Sequence, residues 1–444
     1  MKIAIVGSGI SGLAVAHTLR DQADLTLFEA GDYFGGHTHT VDLTLGGPNG
    51  PVTHGVDTGF LVFNERTYPQ LIQLFADLGV ATVKSDMSFS VQVPGAHAGG
   101  ALEWSGSSLN TVFAQRDNLT HPHFWRMLRD VLRFNRIATR LAKHGQEAAL
   151  MQPLAEFLRQ HKLSAEFKDW YLLPMLGCIW SCPTDQMLQF PVATMIRFCH
   201  NHGLLQVTRR PQWWTVAGGA RHYVEKITDL ISDKRLRSPV HYITRDAKGV
   251  LITSRGHTER FDKLVLACHA DQSLSLLGDA SDAEVHALSA IRYQANRAVL
   301  HTDASVLPYN RRAWAAWNYE RAAPANSAEG HANKSDEDVN RVCLHYLINR
   351  LQPLPFAQPV IVSLNPLQAI DPRQIHGTFD YEHPVFDVAA IRAQSQIPAL
   401  QGRQHTYFCG AWTGYGFHED GLKSGLDVAA RLQTVLTAPA PLAP

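Results

Sequence analysis

The chain opens Met1-Lys-Ile-Ala-Ile-Val-Gly7-Ser8-Gly9-Ile10-Ser11-Gly12, and no other stretch limits the possible fold as strongly. Ile3 to Val6 is a short apolar run of the kind that forms a buried strand. It ends on Gly7-x-Gly9-x-x-Gly12 and passes straight into an apolar helical run, Leu13 to Leu19. A second strand, Leu25 to Phe28, then ends on Glu29. Strand, glycine turn, helix, strand and acid together read as a dinucleotide-binding βαβ unit. Gly7 permits the tight turn, Gly9 lets backbone amides approach a pyrophosphate, and Gly12 lets the helix pack close to the sheet. The helix N-terminus, with Ser8, Ile10 and Ser11 in the turn, offers unpaired donors and a positive dipole end. Glu29, followed by Ala30, is placed to accept from the ribose hydroxyls. An acid there suits FAD or NAD and disfavours a 2′-phosphate.

A chain of 444 residues is long enough for two domains. Lys+Arg and Asp+Glu balance at 40 each, so no global charge points to nucleic acid. No apolar run reaches the roughly 20 residues that span a bilayer. Lys2 and the apolar run after it imitate a signal peptide, but cleavage there would remove the nucleotide-binding unit, so none is expected. The six cysteines, Cys178, Cys182, Cys199, Cys268, Cys343 and Cys409, include no C-x-x-C pair. They read as reduced thiols of a cytoplasmic protein. Cys199-His200-x-His202 resembles half of a metal site without a matching half, and no metal is expected.

Beyond the opening unit, Gly35-Gly36-His37-Thr38 leads into a hairpin, Val41 to Val56, and a helix is expected over Tyr68–Leu78. Helices dominate 118–201. Leu264 to Ala267 has the unbroken apolar character of a buried parallel strand. Ala322 to Asp338 is polar and reads as an exposed loop. Gly421 to Leu436 is the closing helix, and the tail 437–444 is expected to fray.

These pieces, in this order, resemble the flavin-containing amine oxidase superfamily, which includes monoamine and polyamine oxidases, protoporphyrinogen oxidase and phytoene desaturases. The resemblance implies an α/β, two-domain flavoprotein. A Rossmann-like FAD-binding domain would comprise residues 1–85, 205–275 and 400–444. An inserted substrate domain of mixed sheet and helices would comprise 86–204 and 276–399. It further implies that Gly35-Gly36-His37 lies along the pyrophosphate and flavin, with His37 where arginine is commoner. Gly218-Gly219 matches the family's turn before a helix, and Val240 its adenine-clamping strand. Gly410-Ala411-Trp412 and the helix begun by Gly421-Leu422 would border the flavin. Ala411-Trp412 stands where the family usually has an acid for the ribityl chain. A narrower likeness rests on Trp317-Asn318-Tyr319, His345 to Gln352, Ser363-Leu-Asn365-Pro366, His383-Pro384 and Gly416-Phe-His418-Glu-Asp-Gly421. It points to bacterial predicted FAD-binding oxidoreductases similar to the N-terminal domain of plant cyclopropane fatty acid synthases, and hence to a lipid-related substrate.

The expected activity is therefore FAD-dependent hydride transfer from a largely apolar, acyl-type substrate to flavin N5. The alternatives are a flavin-dependent isomerase without net oxidation, or a lipid-holding flavoprotein partner of a fatty-acid-modifying synthase. His418 is the acid–base candidate, because its reference pKa lies near neutrality. Trp317 and Tyr319, with Trp180, Tyr346 and Tyr415, are candidates to wall a pocket. Asn349 and Arg350 are polar residues in the strand-like run Val342–Leu351, where such a pair either caps a strand end or anchors a head group. Between Phe124 and Lys143, the cations Arg126, Arg129, Arg133, Arg136, Arg140 and Lys143 recur every three or four residues. That puts them on one helical face, which suits either a solvated cationic face on a helix packed to the core or contact with an anionic membrane surface.

Overall fold

We describe a computed structural model covering residues 1–97, 100–146, 150–206, 210–322 and 342–437. The expected loop at 322–338 and the tail at 437–444 lie almost wholly outside these residues. Lys2–Val6 forms the middle of a five-stranded parallel sheet, and the strand order is 233–235, 24–28, 2–6, 263–266, 406–408. The order reverses at the first strand, so the crevice at its carboxyl end, where Gly7 turns, is a topological switch point. Strands buried on both faces need apolar side chains throughout. Ile3, Ala4, Ile5 and Leu264 to Leu266 supply them and are fully buried. The helix Ile10–Leu19 covers one face and packs against the closing helix, His418–Thr437.

A second sheet of seven strands runs in the order 375–384, 293–301, 361–364, 343–347, 317–320, 89–97, 100–105. It is antiparallel except where 317–320 runs parallel to 89–97. Alternation along its strands sets the two faces apart. Phe89, Trp317 and Tyr346 point one way, towards a cavity, while His301, Glu320, His345 and Ser363 point the other and are buried. Helices Pro122–Lys143, Leu154–Gln160, Leu173–Trp180 and Val192–Asn201 fill the segment expected to be helical. None of the six cysteines is in a disulfide.

Two boundaries depart from expectation, each for a local reason. The closing helix begins at His418, a turn before Gly421, because the Asp420 carboxylate accepts the Phe417 amide at 3.0 Å and stabilises that first turn. The run 342–351 is a strand only to Leu347 and then makes a helical turn, Ile348–Leu351. Asp57 ties the layers together. Its buried carboxylate accepts from the Thr40 hydroxyl, the Ala220 amide and Gln352 Nε2, which anchors the Gly218-Gly219 turn to the hairpin. Burial pushes its pKa up to about 7.

Candidate cofactor and substrate site

A cavity of about 690 Å³ extends from the switch point to the aromatic face of the seven-stranded sheet. Its first end is lined by Gly7, Ser8, Gly9, Ile10, Ser11, Glu29, Ala30, Gly35, Gly36, His37, Val240, Gly410, Ala411 and Trp412. A Cβ on Gly12 would lie 2.0 Å from the Gly7 carbonyl oxygen, so only glycine brings the helix this close to the strand. A Cβ on Gly9 would meet nothing within 4 Å and would enter the cavity. Gly9 is the N-cap and no side chain caps this helix, which leaves its first-turn amides available. Glu29 accepts from the Ser8 amide at 3.0 Å and the Gly31 amide at 2.8 Å. The Ser8 hydroxyl joins them and accepts from Gly35 at 3.1 Å. Acid, glycine turn and Gly-Gly loop are thus one hydrogen-bonded unit.

His37 belongs to a histidine group at this end of the cavity. His37 stacks on Tyr381 at 5.1 Å and lies 5.3 Å from His383 and 6.3 Å from His269. Its Nε2 is buried with no hydrogen-bond partner among the described residues. Burial first, then His383 and His269, hold its pKa well below the usual imidazole value. His269 stacks on Tyr293 and lies 3.4 Å from Glu382, and His383 Nδ1 accepts from Asn296 at 2.9 Å. Uncapped amides, an open approach at Gly9 and an orphaned imidazole nitrogen all fit a dinucleotide pyrophosphate.

The closing helix reaches the cavity through Gly416, Phe417 and His418. Gly421 and Leu422, expected at the flavin, sit inside the helix instead. A Cβ on Gly421 would press on Ile10 and Ser11, and one on Gly425 would lie 2.3 Å from the Ser11 carbonyl oxygen. Both glycines serve the crossing of the two helices. His418 stacks on Phe60 at 3.9 Å, and its Nε2 is engaged by the Tyr223 hydroxyl at 2.7 Å and the Thr38 hydroxyl at 3.3 Å. Burial lowers its pKa to about 3, so it is a neutral, fixed imidazole. That removes the proton-donor role expected of it near neutral pH. Thr38 holds this pair from behind and does not line the cavity. Glu419 caps the helix Pro69–Asp77, accepting from Gln70 and Leu71.

The far end is walled by Phe60, Met87, Phe89, Trp104, Tyr171, Met175, Ile179, Phe198, Trp213, Trp317 and Tyr346. Trp317 and Tyr346 meet edge to face at 5.0 Å. Of the other expected wall residues, Tyr319, Trp180 and Tyr415 pack elsewhere, Tyr319 against Gly177. Asn349 is outside the cavity. Its side chain donates to the Phe356 and Gln358 carbonyls and accepts the Val360 amide at 2.6 Å, which folds the loop after its strand. Arg350 pairs with Asp86. Arg210, His269 and Glu382, which no sequence motif marks, also line the cavity, as does His383 of the His383-Pro384 motif, to which the sequence assigns no role at the site.

Behind the wall, a polar relay crosses four strands. The Asp303 amide donates to His301 Nδ1 at 3.1 Å, which fixes the proton of this ring on Nε2. His301 Nε2 meets the Ser363 hydroxyl at 2.7 Å, and that hydroxyl meets His345 Nδ1 at 2.7 Å. His345 Nε2 then donates to Glu320 at 3.1 Å. Glu320, Cys343 and His345 are close enough together to hold a metal ion. The relay nevertheless gives every donor an acceptor, with His345 Nε2 carrying a hydrogen where a metal would need a lone pair.

Residues 10–301 match the sequence profile of the family described as flavin containing amine oxidoreductase. The chain is 25% identical over 277 residues to flavin-containing amine oxidase B of Homo sapiens, covering 60% of this chain and 49% of that protein. For the Bos taurus protein of the same name the identity is 24% over 279 residues, covering 57% and 47%. The chain thus spans about half the length of these curated relatives. Among solved structures it is similar to a CLA-producing fatty acid isomerase from P. acnes, with a TM-score of 0.62, 18% identity, and 97% of this chain and 98% of that one covered. Cyclohexylamine oxidase from Brevibacterium oxydans IH-35A gives 0.65, 17%, 98% and 99%. Wild-type putrescine oxidase bound to putrescine gives 0.66, 14%, 98% and 99%. At such identities these likenesses establish the fold.

Proposed function

We propose, for a chain that belongs to the flavin containing amine oxidoreductase family, a largely apolar, acyl-chain substrate. The chain is an FAD-dependent oxidoreductase. When bound, FAD would supply a two-electron acceptor for the substrate's hydride. The residues around the glycine turn, Glu29 and the histidine group would hold its adenosine and pyrophosphate.

One observation carries the substrate class. Among the described lining residues the only carboxylates are Glu29 and Glu382, both at the cofactor end, and the far end has a single formal charge, Arg210. An ammonium there would find no carboxylate and would face a like charge. A carboxylate-headed chain would find apolar walls along its length and a cation at its head. Phe89, Trp317 and Tyr346 orient the chain and exclude water. The N-terminus of the closing helix, at the cavity wall, favours negative charge developing inside.

A second reading, acyl isomerisation without net oxidation, uses the same chamber and is the activity in the name of one structural neighbour. The test for substrate class is equilibrium binding of a long-chain fatty acid against the amine of equal chain length. The proposal expects the acid to bind at least about tenfold tighter, the yield of one charge-assisted hydrogen bond. Tighter binding of the amine would overturn it.

A further inference from the structure

We propose that the face built on the helix Pro122–Lys143 docks on an anionic lipid bilayer. The helix buries Phe124, Met127, Phe134 and Ala138 and turns its six cations outwards. Arg126 is paired with Glu166 and Arg129 with Asp130. Arg133, Arg136, Arg140 and Lys143 have no acidic partner among the described residues. A helix that merely solvates its outer face would intersperse acids there or keep large apolar groups out. This one does neither: Trp125 is 50% exposed and Leu132 57%.

Neighbouring segments extend the same surface. Leu119, which accepts a hydrogen bond from Trp125 Nε1 through its carbonyl, is 49% exposed. Leu109 is 79% exposed on the short helix that leads to Phe113, and Phe113 packs on Trp125 at 5.5 Å. Exposed indole and leucine side chains beside a row of unpaired cations suit the boundary between headgroups and acyl chains, where apolar groups insert and cations meet phosphate. A nucleic-acid surface would use the cations but leave the leucines in water. The helix also carries an open depression lined by Asn135, Arg136, Thr139, Arg140 and Lys143, which offers a lipid phosphate both charge and hydrogen bonds. The face lies one layer of side chains from the cavity, since the ring of Phe124 packs on Trp104, a cavity wall, at 6.3 Å. Docking here is independent of the acyl-chain reading: an enzyme with another substrate would keep this surface.

The test uses the full-length holoenzyme in vesicle flotation, comparing phosphatidylcholine alone with phosphatidylcholine containing about 30% phosphatidylglycerol. The expected result is binding to the anionic vesicles only, reduced at least about tenfold on raising salt from about 0.1 to about 0.5 M. The double variant R136A/R140A is expected to bind about 25-fold more weakly, about fivefold for each cation. Trp125→Ala with Leu132→Ala is expected to weaken binding at low salt while retaining the lipid preference. Equal binding to both vesicle types would overturn the proposal. So would no binding to either, retention by nucleic acid instead of vesicles, or unchanged binding by R136A/R140A with a wild-type flavin spectrum and melting temperature. The salt comparison on the unaltered protein decides the matter if the double variant fails to fold.

Discussion

Two single-methyl changes in the opening turn separate holding a cofactor from building the fold. Gly9→Ala places its Cβ where no protein atom lies within 4 Å, at a φ of −63° that alanine adopts without strain. The FAD-free protein should therefore change in stability by no more than about 1 kcal/mol, because the freedom lost by the unfolded chain offsets the poorer fit of alanine at an N-cap. The methyl enters the path of the pyrophosphate. Displacing one amide from a charged oxygen costs about 1.5–3 kcal/mol, a loss of about 10- to 150-fold in FAD affinity. Gly12→Ala has the reverse effect. Its Cβ would sit 2.0 Å from the Gly7 carbonyl oxygen and 3.2 Å from Ala267 Cβ, so the helix must move, at about 1–3 kcal/mol. Denaturant unfolding of the FAD-free proteins and fluorescence titration with FAD measure the two effects separately. The reasoning fails if Gly9→Ala binds FAD like the parent, or if its FAD-free form is as destabilised as Gly12→Ala.

Three further outcomes follow from buried polar groups. Ser363→Ala should cost about 1–3 kcal/mol in urea unfolding, since it strips His301 and His345 of their shared partner; a change within about 0.5 kcal/mol would refute the relay. Burial lowers His202, His301 and His383 to about 4 and His418 to about 3, so the stability these imidazoles contribute is present above the unfolded value of about 6.5 and is lost as pH falls towards 4. Asp57, raised to about 7, and Asp420, raised to about 6, act in the opposite sense. Near pH 5.5 the four imidazoles outnumber the two carboxylates, so FAD-free stability should fall on acidification, and a melting temperature that is flat or rising between pH 6.5 and 5 contradicts this. Because His418 is neutral throughout, the rate of flavin reduction in His418→Gln should show the same pH breaks as the parent between pH 6 and 9; loss of an acidic limb in the variant would return His418 to a proton-donating role.

Features set by the backbone were the legible part of this chain. The glycine turn and Glu29 are local in sequence and impose a unique geometry, so the part of the first end built by residues 1–37 is legible from them alone. What misled was contact between distant segments. Gly421 looked like a helix start, yet it is glycine because Ile10 and Ser11 press against it. Asn349 looked like a head-group anchor, but its amide is consumed by backbone groups that follow it. Polar residues that close a loop and polar residues that bind a ligand have the same composition, and only burial with saturated partners separates them. The grouping of the histidines is illegible for the opposite reason: His37 can be placed at the cofactor from its Gly-Gly motif, but His269 and His383 are distant in sequence and meet it only in the folded chain.

The most direct test of the whole account is anaerobic titration of the purified holoenzyme with a long-chain fatty acid, following flavin absorbance with mass analysis of the product. The account predicts bleaching of the oxidised flavin by the acid alone and a product two hydrogens lighter. An unbleached flavin with a product of unchanged mass, or bleaching by amines and not by acids, would contradict it.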